Sequence, residues 1–268
     1  MEFSEELLAA KRAALEAGSK AMEIYNAGAS KVSFKEDKSE VTEADFASNE
    51  LITERLDDFH HPLISEETAG SGAVGAEKTW VVDPLDGTMD FVRRTGEFSI
   101  MIGLLEKRKP VLGVVYVPVQ AALYYAEKGK GAWVEKNGGK AEQISVSDKS
   151  STSSFNIIVS KNHFTEQDAE FAKFLGAKHV SSKGSLGVKL AEIACGNAEL
   201  YWNFQNLSIW DVCAPQALLE GAGGTVSDLQ GKALDYGSRR LGTGFIATNG
   251  RANSALLSKF SEFMKKVK

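Results

Sequence analysis

Four acids stand out by position: Glu66, Asp83, Asp86 and Asp211. In Trp80-Val81-Val82-Asp83-Pro84-Leu85-Asp86-Gly87-Thr88 an apolar strand ends on an acid, and a second acid follows three residues later in a glycine-containing turn. Pro84 has no amide proton and is expected to stop the strand ladder there. Two carboxylates held this close repel each other, and each costs free energy to desolvate. A divalent cation relieves both problems, and hard oxygen ligands suit Mg²⁺. A plain Asp-Pro, Asp-Gly turn accounts for this segment alone equally well. Glu66-Glu67, after the apolar residues 62–65, reads by itself as a solvated acidic turn. Asp211 opens a helix after Ile209-Trp210, where an Asp is commonly an N-cap, and Asp45 caps its own helix with Thr42. What unites these acids is recurrence. They stand where an apolar strand ends or a helix begins, the edges at which ligands from separate elements converge.

Other chemistry has weaker support. His60, His61, His163 and His179 show no zinc spacing. Ser185 lacks the flanks of a nucleophile elbow. Tyr201, Trp202 and Phe204 read as core or pocket wall. Cys195 and Cys213 form no CxxC pair and fit buried thiols in a reducing compartment. Asp-Gly-Thr after an acid also resembles the haloacid-dehalogenase-type phosphatases. Their nucleophile sits two positions before the second Asp, where this chain has Pro84, so that spacing argues against an aspartyl-phosphate route.

The elements that must carry these residues follow from the pattern. Residues 4–27 read as an amphipathic helix, with Ser4 as N-cap, Leu8, Leu15 and Met22 on one face and Gly28 at its end. A second helix runs over about 42–58, with Thr42 and Asp45 spaced as a capping box. From 62 to about 144, short runs rich in branched and aromatic residues separated by turns predict an antiparallel meander packed on these helices. The polar stretch 145–154 marks a boundary between an α+β half, 1–147, and an α/β half, 148–268, in which strands and helices alternate. Among the latter are a helix over Glu166–Leu175, one around 186–195 and one after Trp210. The chain of 268 residues is long enough for a large core, and its net charge of −5 argues against a general nucleic-acid or anionic-membrane binder. The start is acidic and amphipathic, with no signal-like apolar run, so the cytoplasm is the expected compartment and no membrane a partner.

Three motifs in order, Ser65-Glu66-Glu67, Asp83 to Thr88, and Trp210-Asp211 before a helix closing on Gly223-Gly224, resemble the lithium-sensitive, Mg²⁺-dependent inositol monophosphatase superfamily. The resemblance extends from Val41-Thr42-Glu43-Ala44-Asp45 to Asp228. It implies an α/β fold, a layered α-β-α-β-α sandwich of the inositol monophosphatase and fructose-1,6-bisphosphatase type. It also implies two or three Mg²⁺ ions, inhibition by Li⁺, a small phosphorylated substrate, and the homodimer that relatives often form. Carried over by position, Glu66, Asp83, Asp86, Asp211 and the Leu85 carbonyl would bind the metals, with Glu67 beside them toward a weaker third ion or its waters. Thr88 and Asp45 resemble the pair that orients and deprotonates the attacking water. The Gly87 and Thr88 amides would meet the substrate phosphate, with Ser185, Lys189 and Asp211 as further substrate contacts. Metal-activated water would then displace the leaving group in line, without a phosphoenzyme.

Three stretches resemble the 3′(2′),5′-bisphosphate nucleotidases more closely: residues 91–99, residues 110–118 and Trp210-Asp211-Val212-Cys213-Ala214-Pro215. Lys189, on a helix where inositol monophosphatases more often carry a neutral residue, would meet a second phosphate. The segment after Ala198, Leu-Tyr-Trp-Asn-Phe-Gln-Asn, departs from that pattern by lacking basic and Gly-Pro residues. The leading reading is removal of the 3′-phosphate of 3′-phosphoadenosine 5′-phosphate, a by-product of sulfate activation. The alternative is an inositol-1-monophosphatase or related sugar-phosphate phosphatase. A non-catalytic metal- or nucleotide-binding regulatory protein is disfavoured, because every expected catalytic position is filled.

Overall fold

The computed structural model describes residues 2–28, 32–34, 40–68 and 75–266. The outermost ends of the two expected halves, residues 1 and 267–268, lie outside these. The first elements in chain order are α1 (Glu5–Ala27), β1 (Val32–Phe34), β2 (Glu40–Thr42), α2 (Glu43–Leu56), β3 (Leu63–Ser65), β4 (Lys78–Asp86) and α3 (Thr88–Val92). Five strands follow: β5 (Ser99–Glu106), β6 (Lys109–Val117), β7 (Ala122–Glu127), β8 (Ala132–Lys136) and β9 (Glu142–Ile144). Then come β10 (Asn156–Ser160), α4 (Glu166–Leu175), β11 (His179–Lys183), α5 (Leu186–Ala194) and β12 (Leu200–Asn203). The last are α6 (Ile209–Gly221), β13 (Thr225–Asp228), β14 (Phe245–Thr248) and α7 (Asn253–Lys266).

Seven strands form one sheet in the order β3-β4-β5-β6-β7-β8-β9. From β4 onward it is the expected antiparallel meander, but β3 runs parallel to β4. Parallel neighbours cannot be joined by a tight hairpin, and β3 and β4 are well separated in sequence. A second sheet of five strands has the order β11-β10-β12-β14-β13, with β10 parallel to β11 and β12 and the remaining pairs antiparallel. β1 and β2 pair antiparallel just before α2, an element the sequence pattern did not announce.

Alternation along the strands sorts the core into layers. Trp80, Val82, Ile100, Ile102 and Val114 face α1 and α2, whereas Val81, Met101 and Val115 face the opposite way, toward α5 and α6. The second sheet covers the other side of α5 and α6 through Ile158, Tyr201 and Ala247, and its outer face, with Ile157 and Trp202, packs on α4 and α7. The result is the expected α-β-α-β-α sandwich, with α5 and α6 between the sheets.

Two local expectations need correction. The buried face of α1 is Leu7, Ala10, Ala14, Ala17 and Ala21, while Leu8 and Leu15 are 44% and 41% exposed. Small side chains let helix and sheet approach closely, so the alanine stripe, not the larger residues, marks the packed side. Ser208, not Asp211, is the N-cap of α6, and Asp211 stands at the third helical position. No described helix is long and apolar enough to cross a membrane.

Candidate active site

The acids singled out in the sequence collect at one end of the sandwich. Glu66, Asp83, Leu85, Asp86, Gly87, Thr88, Lys189 and Asp211 line one cavity of about 510 Å³, together with Asn162, His163 and Tyr201. Glu66 follows β3, and its amide donates to Val82 O at 3.2 Å. Asp211 is held by a capping box in which the Ser208 amide donates to its Oδ2 at 2.7 Å.

The spacing of Asp83 and Asp86 hides a structural device. In a regular strand, residues three apart point to opposite faces. Here Asp83 pairs with Met101 and Asp86 with Ser99, so β4 carries one residue more than β5 across the same interval. This is a β-bulge, and it accommodates the proline, which can donate no ladder hydrogen bond. Pro84 therefore does not stop the strand, as its chemistry led one to expect; β4 continues to Asp86. The bulge shifts the parity. Leu85 joins Val82 in the core under α1 and α2, and both aspartates face the cavity. At the strand end Gly87 adopts φ 94°, which a residue with a Cβ rarely takes, and it turns the chain into α3.

Asp45 reaches the cluster through Thr88. Its Oδ2 accepts from the Thr42 amide and hydroxyl, each at 2.7 Å, and its Oδ1 accepts from Thr88 Oγ at 2.9 Å. The same hydroxyl lies 3.2 Å from the Leu85 carbonyl. One carboxylate thus caps α2 and holds the cavity-lining threonine. Asp86 is supported from the other half of the chain: its Oδ2 accepts from Ser185 Oγ at 2.5 Å and from the Gly187 amide at 2.8 Å. Lys189, only 3% exposed, donates to the carbonyls of Lys183 at 3.2 Å and Gly184 at 2.7 Å.

Burial and mutual repulsion govern the charges. Burial pushes the Asp83 carboxyl well above its ordinary range, and Glu66, Asp86 and Asp211 push it further. Asp211 is raised to about 8 by burial and then by Glu66. Asp86 is raised by burial against the pull of its Ser185 and Gly187 hydrogen bonds and of Lys189. Asp45 is raised by burial as well, and Lys189 is lowered to about 8 by the same cause. So many carboxylates in one poorly solvated cleft form a site whose charge a hard divalent cation would compensate. Among the described residues no three carboxylate, imidazole or thiol groups stand so as to hold a metal ion by themselves. An ion here would take remaining ligands from the Leu85 carbonyl, water and substrate oxygens, which is how Mg²⁺ is commonly held.

Glu67 does not line this cavity; its amide donates to Ser65 Oγ at 3.3 Å, within the turn that carries Glu66. The sequence reading missed Arg239. Its guanidinium donates to Ser65 O at 3.1 Å and Thr68 O at 2.8 Å and lies 5.3 Å from the Trp210 ring, tying the Glu66 turn to the start of α6. Nothing local distinguishes this arginine, since its partners are about 170 residues away. His163, given no role from spacing, also lines the cavity, with a pKa lowered by burial.

A family model described as "Inositol monophosphatase family" matches residues 4–265. The 3′(2′),5′-bisphosphate nucleotidase CysQ of Salmonella typhimurium is 40% identical over 240 residues, covering 87% of this chain and 95% of that protein. Inositol monophosphatase 2 of Solanum lycopersicum is 32% identical over 267 residues, covering 93% and 97%. The crystal structure of CysQ from Bacteroides thetaiotaomicron superposes with a TM-score of 0.78 at 33% identity, covering 93% of this chain and 98% of that one. The chain belongs to the inositol monophosphatase family.

Proposed function

From that membership and this geometry we propose that the chain is a Mg²⁺-dependent phosphomonoesterase that removes the 3′-phosphate of 3′-phosphoadenosine 5′-phosphate. The observation that carries the substrate is the 40% identity to a protein named a 3′(2′),5′-bisphosphate nucleotidase, over 95% of that protein's length. The cleft supports it. The carboxylate cavity shares Ser160, His163, Tyr201 and Asn203 with a second cavity of about 350 Å³, so there is room beyond the reacting phosphate for a nucleoside.

In this reading Glu66, Asp83, Asp86, Asp211 and the Leu85 carbonyl hold the cations, and Glu67 stands behind them. When bound, the ions would neutralise the phosphate dianion and lower the pKa of water. Thr88 Oγ, donating to Asp45, keeps lone pairs free to accept a proton from the attacking water while its own proton passes to Asp45. A carboxyl already raised by burial suits that acceptor role. The Gly87 and Thr88 amides position the phosphate, whereas Ser185, expected from the sequence as a substrate contact, is fully buried and acts through Asp86, to which its hydroxyl donates. Lys189 spends two of its three donors on carbonyls and keeps one for a second phosphate. Magnesium as the ion rests on the all-oxygen donor set. The cytoplasm as compartment rests on two thiols that form no disulfide.

The similarity to an inositol monophosphatase over 93% of the chain favours a second reading, an inositol-phosphate phosphatase. Phosphate release from a panel of monoesters, with and without Mg²⁺, separates them. The expected result is Mg²⁺-dependent release with the bisphosphate nucleotide preferred. Preference for inositol 1-phosphate would transfer the assignment to the second reading, and no release from any monoester would favour a non-catalytic binding protein.

A further inference from the structure

The mechanism above leaves unused two acids that follow the metal motif, Asp90 on α3 and Glu97 before β5. Asp90 is fully buried. A buried carboxylate is costly unless it is paired, and most of this one's pairing comes from the opposite half of the chain. Its Oδ2 accepts from Asn162 Nδ2 at 2.5 Å, and Lys161 Nζ lies 3.4 Å from Oδ1, which also accepts from Thr95 Oγ at 2.5 Å. Gly184 packs directly on it: a Cβ there would stand 1.9 Å from Asp90 Oδ2. Glu97 accepts from the Gly184 amide at 3.0 Å and pairs with Lys161 at 3.3 Å and Lys183 at 3.4 Å. Together with Asp86, which receives Ser185 and Gly187, three carboxylates of the first half grip residues 161–162 and 183–187 of the second.

The gripped segments carry the far wall of the cleft. Ser160, Asn162, His163, Gly184 and Lys189, all from the second half, line the cavity together with Glu66, Asp83 and Thr88 from the first. We propose that Asp90 and Glu97 are specificity-determining positioning residues, which set the far wall at the separation that admits the nucleoside portion of the substrate. The wall they hold adjoins the second cavity and meets the carboxylates at Asp86, which keeps its own bonds from Ser185 and Gly187, so the effect of Asp90 and Glu97 falls mainly on substrate binding. The proposal rests on the nucleotidase reading for the identity of that portion, though not for the grip itself.

Asp90→Asn tests it in the full chain, because an amide at this position opposes the Asn162 amide donor and leaves Lys161 with Glu97 alone. Hydrogen exchange is expected to quicken about tenfold at 160–163 and 183–187 and to stay unchanged at 79–86. kcat/KM for 3′-phosphoadenosine 5′-phosphate is expected to fall about tenfold through KM, the scale of one lost charge-assisted hydrogen bond. With glycerol 2-phosphate, which has no nucleoside, it should stay within about twofold. Adding Asn162→Asp to Asp90→Asn exchanges donor and acceptor and leaves an acid where Arg93 donates at 3.3 Å, so hydrogen exchange should return to the wild-type pattern. Because Asn162 also lines the cavity, that readout alone scores this variant. Glu97→Gln keeps an acceptor for Gly184 while removing the charge that pairs with both lysines, and it carries the test if Asp90→Asn does not fold. Equal losses on both substrates, unchanged exchange, or no restoration by the exchange of partners would overturn the proposal. If the wild type does not prefer the nucleotide, the functional reading fails, and the exchange comparison alone then decides the grip.

Discussion

Replacing Asp45 by Asn separates the proposed proton-accepting role of this carboxylate from its capping role. Oδ2 accepts from the amide and hydroxyl of Thr42, both at 2.7 Å, so an amide oxygen placed there keeps the α2 cap. The structural cost is then about 1 kcal/mol, the difference between a charged and a neutral cap. That choice turns the new NH₂ group toward Thr88. The Thr88 hydroxyl must now accept where it donated at 2.9 Å, and its proton goes to the Leu85 carbonyl at 3.2 Å. The proposed relay from water to carboxylate would be broken while the cavity keeps its shape. Loss of a positioned general base costs roughly 10²–10⁴ in rate, which is about 3–5 kcal/mol of barrier. Initial rates of phosphate release at saturating Mg²⁺, with thermal unfolding on the same samples, give the measurement. The expected outcome is kcat lowered at least ~100-fold, KM nearly unchanged, and Tm lower by ~2–4 °C. In the wild type, kcat should rise with pH through a carboxyl pKa above the ordinary aspartate range, and the variant should lack that limb. Retention of kcat within about tenfold would refute the base assignment.

Asp83→Asn keeps an acceptor for the Leu85 amide, which donates at 3.1 Å, yet removes a buried charge repelled by Glu66, Asp86 and Asp211. Turnover should fall at least ~100-fold, while Tm measured in EDTA rises; a variant that keeps most activity at saturating Mg²⁺ would remove Asp83 from the metal site. The pH dependence of stability has a definite sign. Asp83, Asp86 and Asp211 have folded pKa values above the usual 3.8, Asp211 at about 8, so their protonated forms are favoured by folding. Their contribution is full below about pH 4 and is lost as pH rises, through about 8 for Asp211. Thermal unfolding in EDTA should therefore show this cluster lowering Tm toward pH 8, with Mg²⁺ raising Tm most there; equal Mg²⁺ shifts at acid and alkaline pH would contradict it. Arg239→Ala removes the donors to Ser65 and Thr68 and the contact with Trp210, so the Glu66 turn loosens from α6. The Mg²⁺ concentration for half-maximal activity should rise about tenfold with kcat at saturating Mg²⁺ largely kept, and an unchanged Mg²⁺ requirement would dissociate Arg239 from the site.

Much of this was legible along the chain because it depends on neighbours in sequence. The Thr42–Asp45 capping box, the Ser4 cap, the Gly28 end of α1 and the helix over Glu166–Leu175 all depend on groups within a few residues of one another. The motif acids were legible too, because their residue types and order carry the resemblance to the family. What needed the tertiary structure were relations that packing decides. A spacing of three reads the same whether the strand is regular or bulged, and only pairing with β5 shows that Asp83 and Asp86 share a face. Ser185 meets Asp86 across 99 residues, and Arg239 meets Ser65 across 174. Neither partner signals the other, because hydrogen-bonding capacity is a property of every serine and arginine. The packed side of α1 was misread for a related reason. Hydrophobicity scores a residue alone, whereas closeness of approach rewards the alanines. The chemistry of the acids belongs to their side chains and can be read in order; their convergence belongs to the layered packing of two sheets around α5 and α6.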